Sequence, residues 1–226
     1  DGRGMEEARL RLDAPLAQGM RRQARAHGVS PAALCHLAWA LVLARTSGRQ
    51  EPVFGTVLMG RMDGGAGAQQ ALGMFINTLP LRVDLGRRSV RQGVREAHAR
   101  LTGLLAHEHA SLALAQRCSG IAAPAPLFSA LLNYRHSSVA TTQESLDAWE
   151  GIQALGGDER TNYPLTLNVD DLGEGFHLTV LGLESIGSER ICGYVQVALE
   201  QLAQTLEQRP ETPLDTLSIL PGSEPI

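Results

Sequence analysis

Apolar positions recur at helical spacing through residues 14–28, where Leu16, Met20 and Ala24 share one face and Arg21, Arg22 and Arg25 lie outside it. Gly28 ends that run. Ser30 and Pro31 supply a capping side chain and a first-turn proline for a second helix over 31–47, with Leu34, Leu37, Ala38 and Leu41 as its stripe and Gly48 as its stop. Residues 53–59 form a short, nearly unbroken apolar run, the pattern of a strand buried on both faces. Residues 74–79 predict another strand, and Pro80 places it at an edge or a strand end. Ser89 with Gln92 forms a capping box opening a helix over 89–107, lined by Val90, Val94, Ala97, Leu101 and Leu105.

The second half is richer in strands. Residues 128–134 read as one. Leu165, Leu167 and Val169, then Phe176, Leu178 and Val180, alternate with polar residues around an Asp- and Gly-rich turn, which predicts strands over 164–169 and 176–182 joined as a hairpin. A last helix over 189–207 buries Ile191, Val195, Leu199, Leu202 and Leu206. Residues 136–150 are polar and turn-rich and read as an exposed loop. Strands and helices mix without a strict βαβ rhythm, so the expected fold is α/β, a two-layer sandwich with a mixed β-sheet flanked by helices. One domain is expected over 1–220, with 221–226 starting a proline-containing linker.

Composition narrows the chemistry. At 226 residues, 43% hydrophobic and 19% charged, the chain is long and apolar enough for a core. All 20 basic residues are arginine. Without lysine, a phosphate-loop NTPase, a pyridoxal Schiff base and a kinase strand lysine are all excluded. The three cysteines, Cys35, Cys118 and Cys192, are too scattered for a zinc knuckle or a dithiol motif. A net charge of −4 gives no footprint for nucleic acid. No stretch nears the ~18 apolar residues of a membrane span, and the acidic N-terminus lacks a signal-peptide core and an initiator methionine. The expectation is a cytoplasmic segment, either excised from a longer chain or trimmed to its ordered residues.

Among candidate sites, His107-Glu108-His109 puts two histidines on different sides of a helix, whereas zinc enzymes use i, i+4 spacing. The glycine loop at 63–67 has no following Lys-Ser/Thr and reads as a surface loop. No Gly-x-Ser-x-Gly elbow occurs. His36 lies near an apolar helical face and reads as a satisfied core histidine. The residues alone support no catalytic assignment.

Several strings together resemble one family. They are Val53-Phe54-Gly55-Thr56-Val57-Leu58-Met59-Gly60-Arg61, Gly73-Met74-Phe75-Ile76-Asn77-Thr78-Leu79-Pro80-Leu81-Arg82 and His107-Glu108-His109-Ala110-Ser111-Leu112. Pro126-Leu127-Phe128-Ser129-Ala130-Leu131-Leu132-Asn133-Tyr134-Arg135 and Arg160-Thr161-Asn162-Tyr163-Pro164-Leu165 complete the set. In order and spacing they are similar to the C-terminal half of the condensation domains of nonribosomal peptide synthetases, although the histidine string departs from the family's wording. That family resembles chloramphenicol acetyltransferase in fold. The resemblance implies two lobes around a tunnel, which two carrier-bound phosphopantetheine arms enter and in which an amine attacks a thioester. The family's His-His-x-x-x-Asp-Gly motif is absent, since no two histidines are adjacent.

The resemblance therefore implies the C-terminal lobe alone, with no catalytic residue of its own and no bound cofactor, the phosphopantetheine arms being substrates. Asn77, Ser129, Asn133, Arg160 and Asn162, polar within apolar motifs, are the expected tunnel-wall or lobe-bridging residues. The alternative for each is a buried polar group tying strands and loops together. Implied partners are the N-terminal lobe, the upstream and downstream carrier proteins and an adjacent adenylation domain, with neither nucleic acid nor membrane. The stretch around 141–162 is the expected segment crossing to the other lobe. Two other readings stay open: a non-catalytic docking module, and a small acyltransferase with an inter-subunit site.

Overall fold

Capping residues and apolar stripes define where each helix begins and ends. The computed structural model describes residues 4–60, 73–122, 124–136 and 161–222. Helix α1 (Ala14–His27) starts where the Asp13 carboxylate accepts a hydrogen bond from the Leu16 amide at 2.8 Å, and it stops at left-handed Gly28. Helix α2 (Pro31–Ser47) has Ser30 as its cap and Gly48 as its end. The sequence stripe undersold this helix: Cys35, His36, Trp39, Ala40 and Val42 are buried as well. A helix apolar on all sides belongs inside a layer rather than on its surface, and α2 runs between α3 (Val90–Leu105), α1 and the last helix, α5 (Ser188–Gln208). The Ser89–Gln92 capping box opens α3.

Six strands form one mixed sheet: β1 (Met5–Arg11), β2 (Val53–Leu58), β3 (Asn77–Arg82), β4 (Ala130–His136), β5 (Leu165–Asp171) and β6 (Phe176–Leu183), in the order β1-β6-β5-β4-β2-β3. Strand β4 is parallel to β2 and β5, and the other pairs are antiparallel. Pro80 sits in β3, an edge strand, where a missing N–H is tolerated. The hairpin expected over 164–182 is β5–β6. Phe54, Leu132, Leu165, Leu167, Val169, Phe176, Leu178 and Val180 meet α1, α2, α3 and α5 in one core. A fully buried Leu or Phe there contributes about 1.5–3 kcal/mol.

Several elements differ from the sequence reading. Strand β3 starts at Asn77 rather than 74, and Met74 and Ile76 are exposed, so the apolar run there is not sheet. Strand β4 starts two residues later than expected. Strand β1 and the short helix α4 (Leu112–Cys118) were not foreseen. The charges of Glu6, Glu7, Arg9 and Arg11 hid the alternation of β1, and α4 buries no residue and so carries no stripe. Strand β1 is fixed to the helical layer through Glu6: Ser188 N donates to its carboxylate at 3.0 Å and Ser188 Oγ to its carbonyl at 2.9 Å. The loop read at 136–150 and the crossing segment at 141–162 lie outside the described residues except at their ends. No single helix among the described residues is long and apolar enough to cross a membrane.

Candidate functional site

Side chains alternate across a sheet, so the residues between the core positions point away from the helices. Phe128, Leu131 and Leu181 are buried yet stand outside the main core, which places a second covered region on that far face. Phe128 lies against Gly55 of β2 and stacks on Tyr163, with ring centroids 5.5 Å apart and planes 21° apart. Strand register sets a polar row beyond this pair: Asn133 opposite Asn168, Asn168 opposite Thr179, and Thr179 opposite Arg9. In the next row Arg135 holds Asp170 through two bonds of 2.6 and 3.0 Å. The face is thus an aromatic patch followed by a band of amides and charges.

The predicted site residues divide sharply. Asn77 is fully engaged in holding the chain: its Nδ2 donates to the Glu108 carbonyl at 2.8 Å and the Ala110 carbonyl at 2.7 Å, and its Oδ1 accepts from Thr78 N at 2.9 Å. This side chain fixes the turn between α3 and α4 to the edge of the sheet. Ser129 and Asn162 flank the stacked Phe128 and Tyr163, and both are exposed. Asn133 is half-buried in β4. None of these three side chains hydrogen-bonds another described residue, so each is available to something else. Arg160 lies outside the described residues.

The buried ionisable groups elsewhere serve the fold. His36 bridges α2 to β2. Its Nδ1 faces the Ala32 carbonyl at 2.7 Å, which only accepts, so Nδ1 carries the proton and Nε2 accepts from Thr56 Oγ1 at 2.7 Å. Burial lowers its pKa to about 4, against the smaller opposite pull of the Ala32 carbonyl. This is the satisfied core histidine expected from the sequence.

Sequence reasoning missed a second cluster. Asp171, with a side chain 3% exposed, takes bonds from Arg21 at 2.5 and 3.3 Å, Tyr134 Oη at 2.6 Å and Gly173 N at 3.1 Å, with His136 Nδ1 at 3.2 Å. Burial alone would raise the Asp171 pKa; the bonds from Arg21, Tyr134 and Gly173 outweigh it and bring it to about 2. Burial pushes the Cys35 thiol and the Tyr134 phenol up, so neither is a nucleophile at neutral pH. Arg21 comes from α1 and Tyr134 and His136 from β4, both far from Asp171 in sequence, and no local motif announces the cluster.

At the other end of the sheet, Glu108 is buried, with exposed His109 Nε2 3.7 Å from its carboxylate. Among the described residues no three His, Cys, Asp or Glu side chains gather as metal ligands.

A family model described as a condensation domain matches residues 3–224. The chain belongs to the condensation-domain family. It is 51% identical, over 99% of its length, to malpibaldin synthetase of Mortierella alpina, and 26% identical, over 95%, to nonribosomal peptide synthetase 5 of Gibberella zeae. It spans only 4% and 2% of the lengths of those two proteins. The fold matches the condensation domain of the monacolin K polyketide synthase MokA with a TM-score of 0.72 at 20% identity, covering 93% of this chain and 48% of that one. The first condensation domain of the CDA synthetase gives 0.70 at 21% identity, covering 96% of this chain and again 48% of the solved one. At such identities the likeness shows a shared fold: a mixed sheet flanked by helices.

Proposed function

We propose that this chain is the C-terminal lobe of a condensation domain, one lobe of a chloramphenicol-acetyltransferase-like fold, and supplies one wall of the tunnel in which an amide bond forms. The observation that carries the reading is the match along residues 3–224 to a family whose solved members it covers by about half. The absence of adjacent histidines from the sequence agrees with a proton-handling motif on the other lobe. In the reaction, the amine of a downstream carrier-bound aminoacyl group attacks the carbonyl of an upstream acyl or peptidyl thioester. The C–N bond forms, the C–S bond breaks, and the upstream phosphopantetheine leaves as its thiol while the amine gives up a proton.

The protein's share of this work is alignment, and holding two reactants in line lowers the barrier by up to about 7–11 kcal/mol in well-oriented systems. Ser129, Asn133 and Asn162 have amide or hydroxyl groups free to meet an arm or the facing lobe. Asn77 acts through the turn it holds, and Arg160 belongs to the same set by its motif. Phosphopantetheine arms are substrates here, not resident cofactors. The partners are the N-terminal lobe, two carrier proteins and an adjacent adenylation domain, and the setting is cytoplasmic. Residues 1–220 form the lobe, and 221–226 begin the linker.

The test is amide formation from loaded carrier proteins. The purified chain alone should give no product, and adding a separately expressed N-terminal lobe should restore it. Product from the chain alone would overturn the reading in favour of a self-contained acyltransferase, whose histidine base His→Ala scanning would then locate. Binding of the added lobe without turnover would favour a docking module.

A further inference from the structure

On the helical side of the molecule, away from the polar sheet face, a groove of about 480 Å³ opens between the C-terminal end of α2 and the turn before α3. Arg45, Arg49 and Arg87 line it together with Gln50 and Asp215. The nearby arginines are neutralised. Arg88 sits between Asp84 at 2.7 Å and Glu96 at 2.6 Å, Arg82 meets Glu51 at 3.5 Å, and Arg91 meets Glu211 at 3.2 Å. The carboxylates that could serve the groove are therefore turned elsewhere, and Asp215 alone remains within it. Among the described residues, Arg45, Arg49 and Arg87 have no carboxylate within ion-pairing distance. The Arg45 guanidinium donates to the carbonyls of Asp215 and Leu217, which leaves its charge uncompensated. Three guanidinia against one carboxylate make a local excess of positive charge on a chain whose net charge is −4.

The backbone holds these charges in place. Leu85 N donates to the Gln50 carbonyl at 3.1 Å, joining the turn that bears Arg87 to the segment that bears Arg49. Arg87 has φ 48°, the one non-glycine residue in the left-handed region among those described. A side chain kept in a sparsely populated backbone conformation at the rim of a groove is a reason to look for function there.

We infer that this groove docks an acidic segment of a partner polypeptide, with carboxylates of that segment pairing with Arg49, Arg87 and Arg45. A compact phosphate fits less well. The groove lies at the C-terminal end of α2, where the helix dipole opposes any anion placed close to the terminal carbonyls, so the carboxylates it takes are those that reach the long arginine side chains beyond them. The guanidinia are borne on two separate segments, Arg45 and Arg49 at and just beyond the end of α2 and Arg87 on the turn before α3, which suits several carboxylates spaced along a chain. The inference makes no use of the two-lobe reading.

A fluorescein-labelled decapeptide alternating glutamate and leucine, titrated against the chain at low ionic strength and followed by anisotropy, provides the test. Arg49→Glu with Arg87→Glu should weaken binding by about tenfold, about 1.4 kcal/mol, the scale expected for the loss of two surface ion pairs. Arg22→Glu with Arg25→Glu makes the same change in net charge on the exposed face of α1 and should alter binding by less than about twofold. Should charge reversal unfold the chain, Arg49→Gln with Arg87→Gly removes both charges, relieves the backbone and should still weaken binding several-fold. Equal losses in the two charge-reversed variants, displacement of the peptide by an equal concentration of inorganic phosphate, or no binding by the unaltered chain would each overturn the inference.

Discussion

A β-carbon at position 55 would stand 2.4 Å from Cε2 of Phe128, so the Phe128 ring rests on strand β2 only because residue 55 is glycine. The same ring stacks on Tyr163. One aromatic contact therefore ties β2 to the entries of β4 and β5, and it does so on the face that carries the free polar side chains.

Gly55→Ala should destabilise the chain by about 1–3 kcal/mol, because a methyl there overpacks the ring and the nearby Thr78 side chain. Urea denaturation reads the loss. Phe128→Leu made in the Gly55→Ala background should recover part of it, since contacting residues couple non-additively. A neutral Gly55→Ala variant would mean that the ring does not lie against the strand.

Asn77→Ala removes the donor of two backbone carbonyls and the acceptor of the Thr78 amide at once. The expected cost is about 1–3 kcal/mol. Amide hydrogen exchange should quicken in residues 107–112, the turn that Asn77 holds. Asn77→Asp should be at least as damaging, because a carboxylate would face two carbonyl oxygens. Unchanged exchange in that turn would contradict the assignment.

How much of this was legible beforehand follows from the range of the interactions. Caps and glycine stops are local, so α1, α2 and α3 could be read within a residue or two, and the alternation of Leu165, Leu167 and Val169 gave β5 directly. Strand β1 could not be read in the same way. It earns its place in the sheet by pairing with β6, more than 160 residues later, and its exposed charges mask the period. In the candidate site, polarity within apolar strings singled out Asn77 and Asn133 alike. Only the folded structure separates them, because the partners of Asn77 are carbonyls of another motif, and a carbonyl leaves no trace in residue identity. The Arg21–Asp171–Tyr134 cluster escaped for the same reason: three elements must fold before it exists.

Two acid-sensitive steps should be separable. His36 is held near 4 in the folded chain and is ordinarily near 6.5, so the unfolded state takes up the proton first. Its contribution is complete above pH 6.5 and fades as pH falls towards 4. Asp171 is depressed from 3.8 to about 2, so its contribution is complete above about pH 4 and fades below that. Denaturation measured across pH 7 to 3 should show stability declining through the first window in the unaltered chain and a flatter profile there in His36→Gln. Asp171→Asn should flatten only the lower window. If His36→Gln leaves the upper window unchanged, another group governs it.

The sharpest prediction concerns Asn133. A half-buried amide in the middle of a strand with no described partner is either a solvated surface residue or one that meets something outside this chain. The two possibilities give different outcomes for Asn133→Leu. On an open surface the change alters stability by no more than about 0.5 kcal/mol and affects nothing else. On a tunnel wall it leaves stability equally untouched but removes a hydrogen bond to an arm or to the facing lobe, which should slow amide formation by the reconstituted two-lobe domain by about tenfold. Gln18→Leu, the same kind of change on the exposed side of α1, is the control and should alter neither property. Rescue by Asn133→Gln but not by Asn133→Leu would point to the amide itself rather than to space at that position. Full turnover with leucine at 133, in a domain reconstituted from both proposed lobes, would leave the amide band without a part in the reaction.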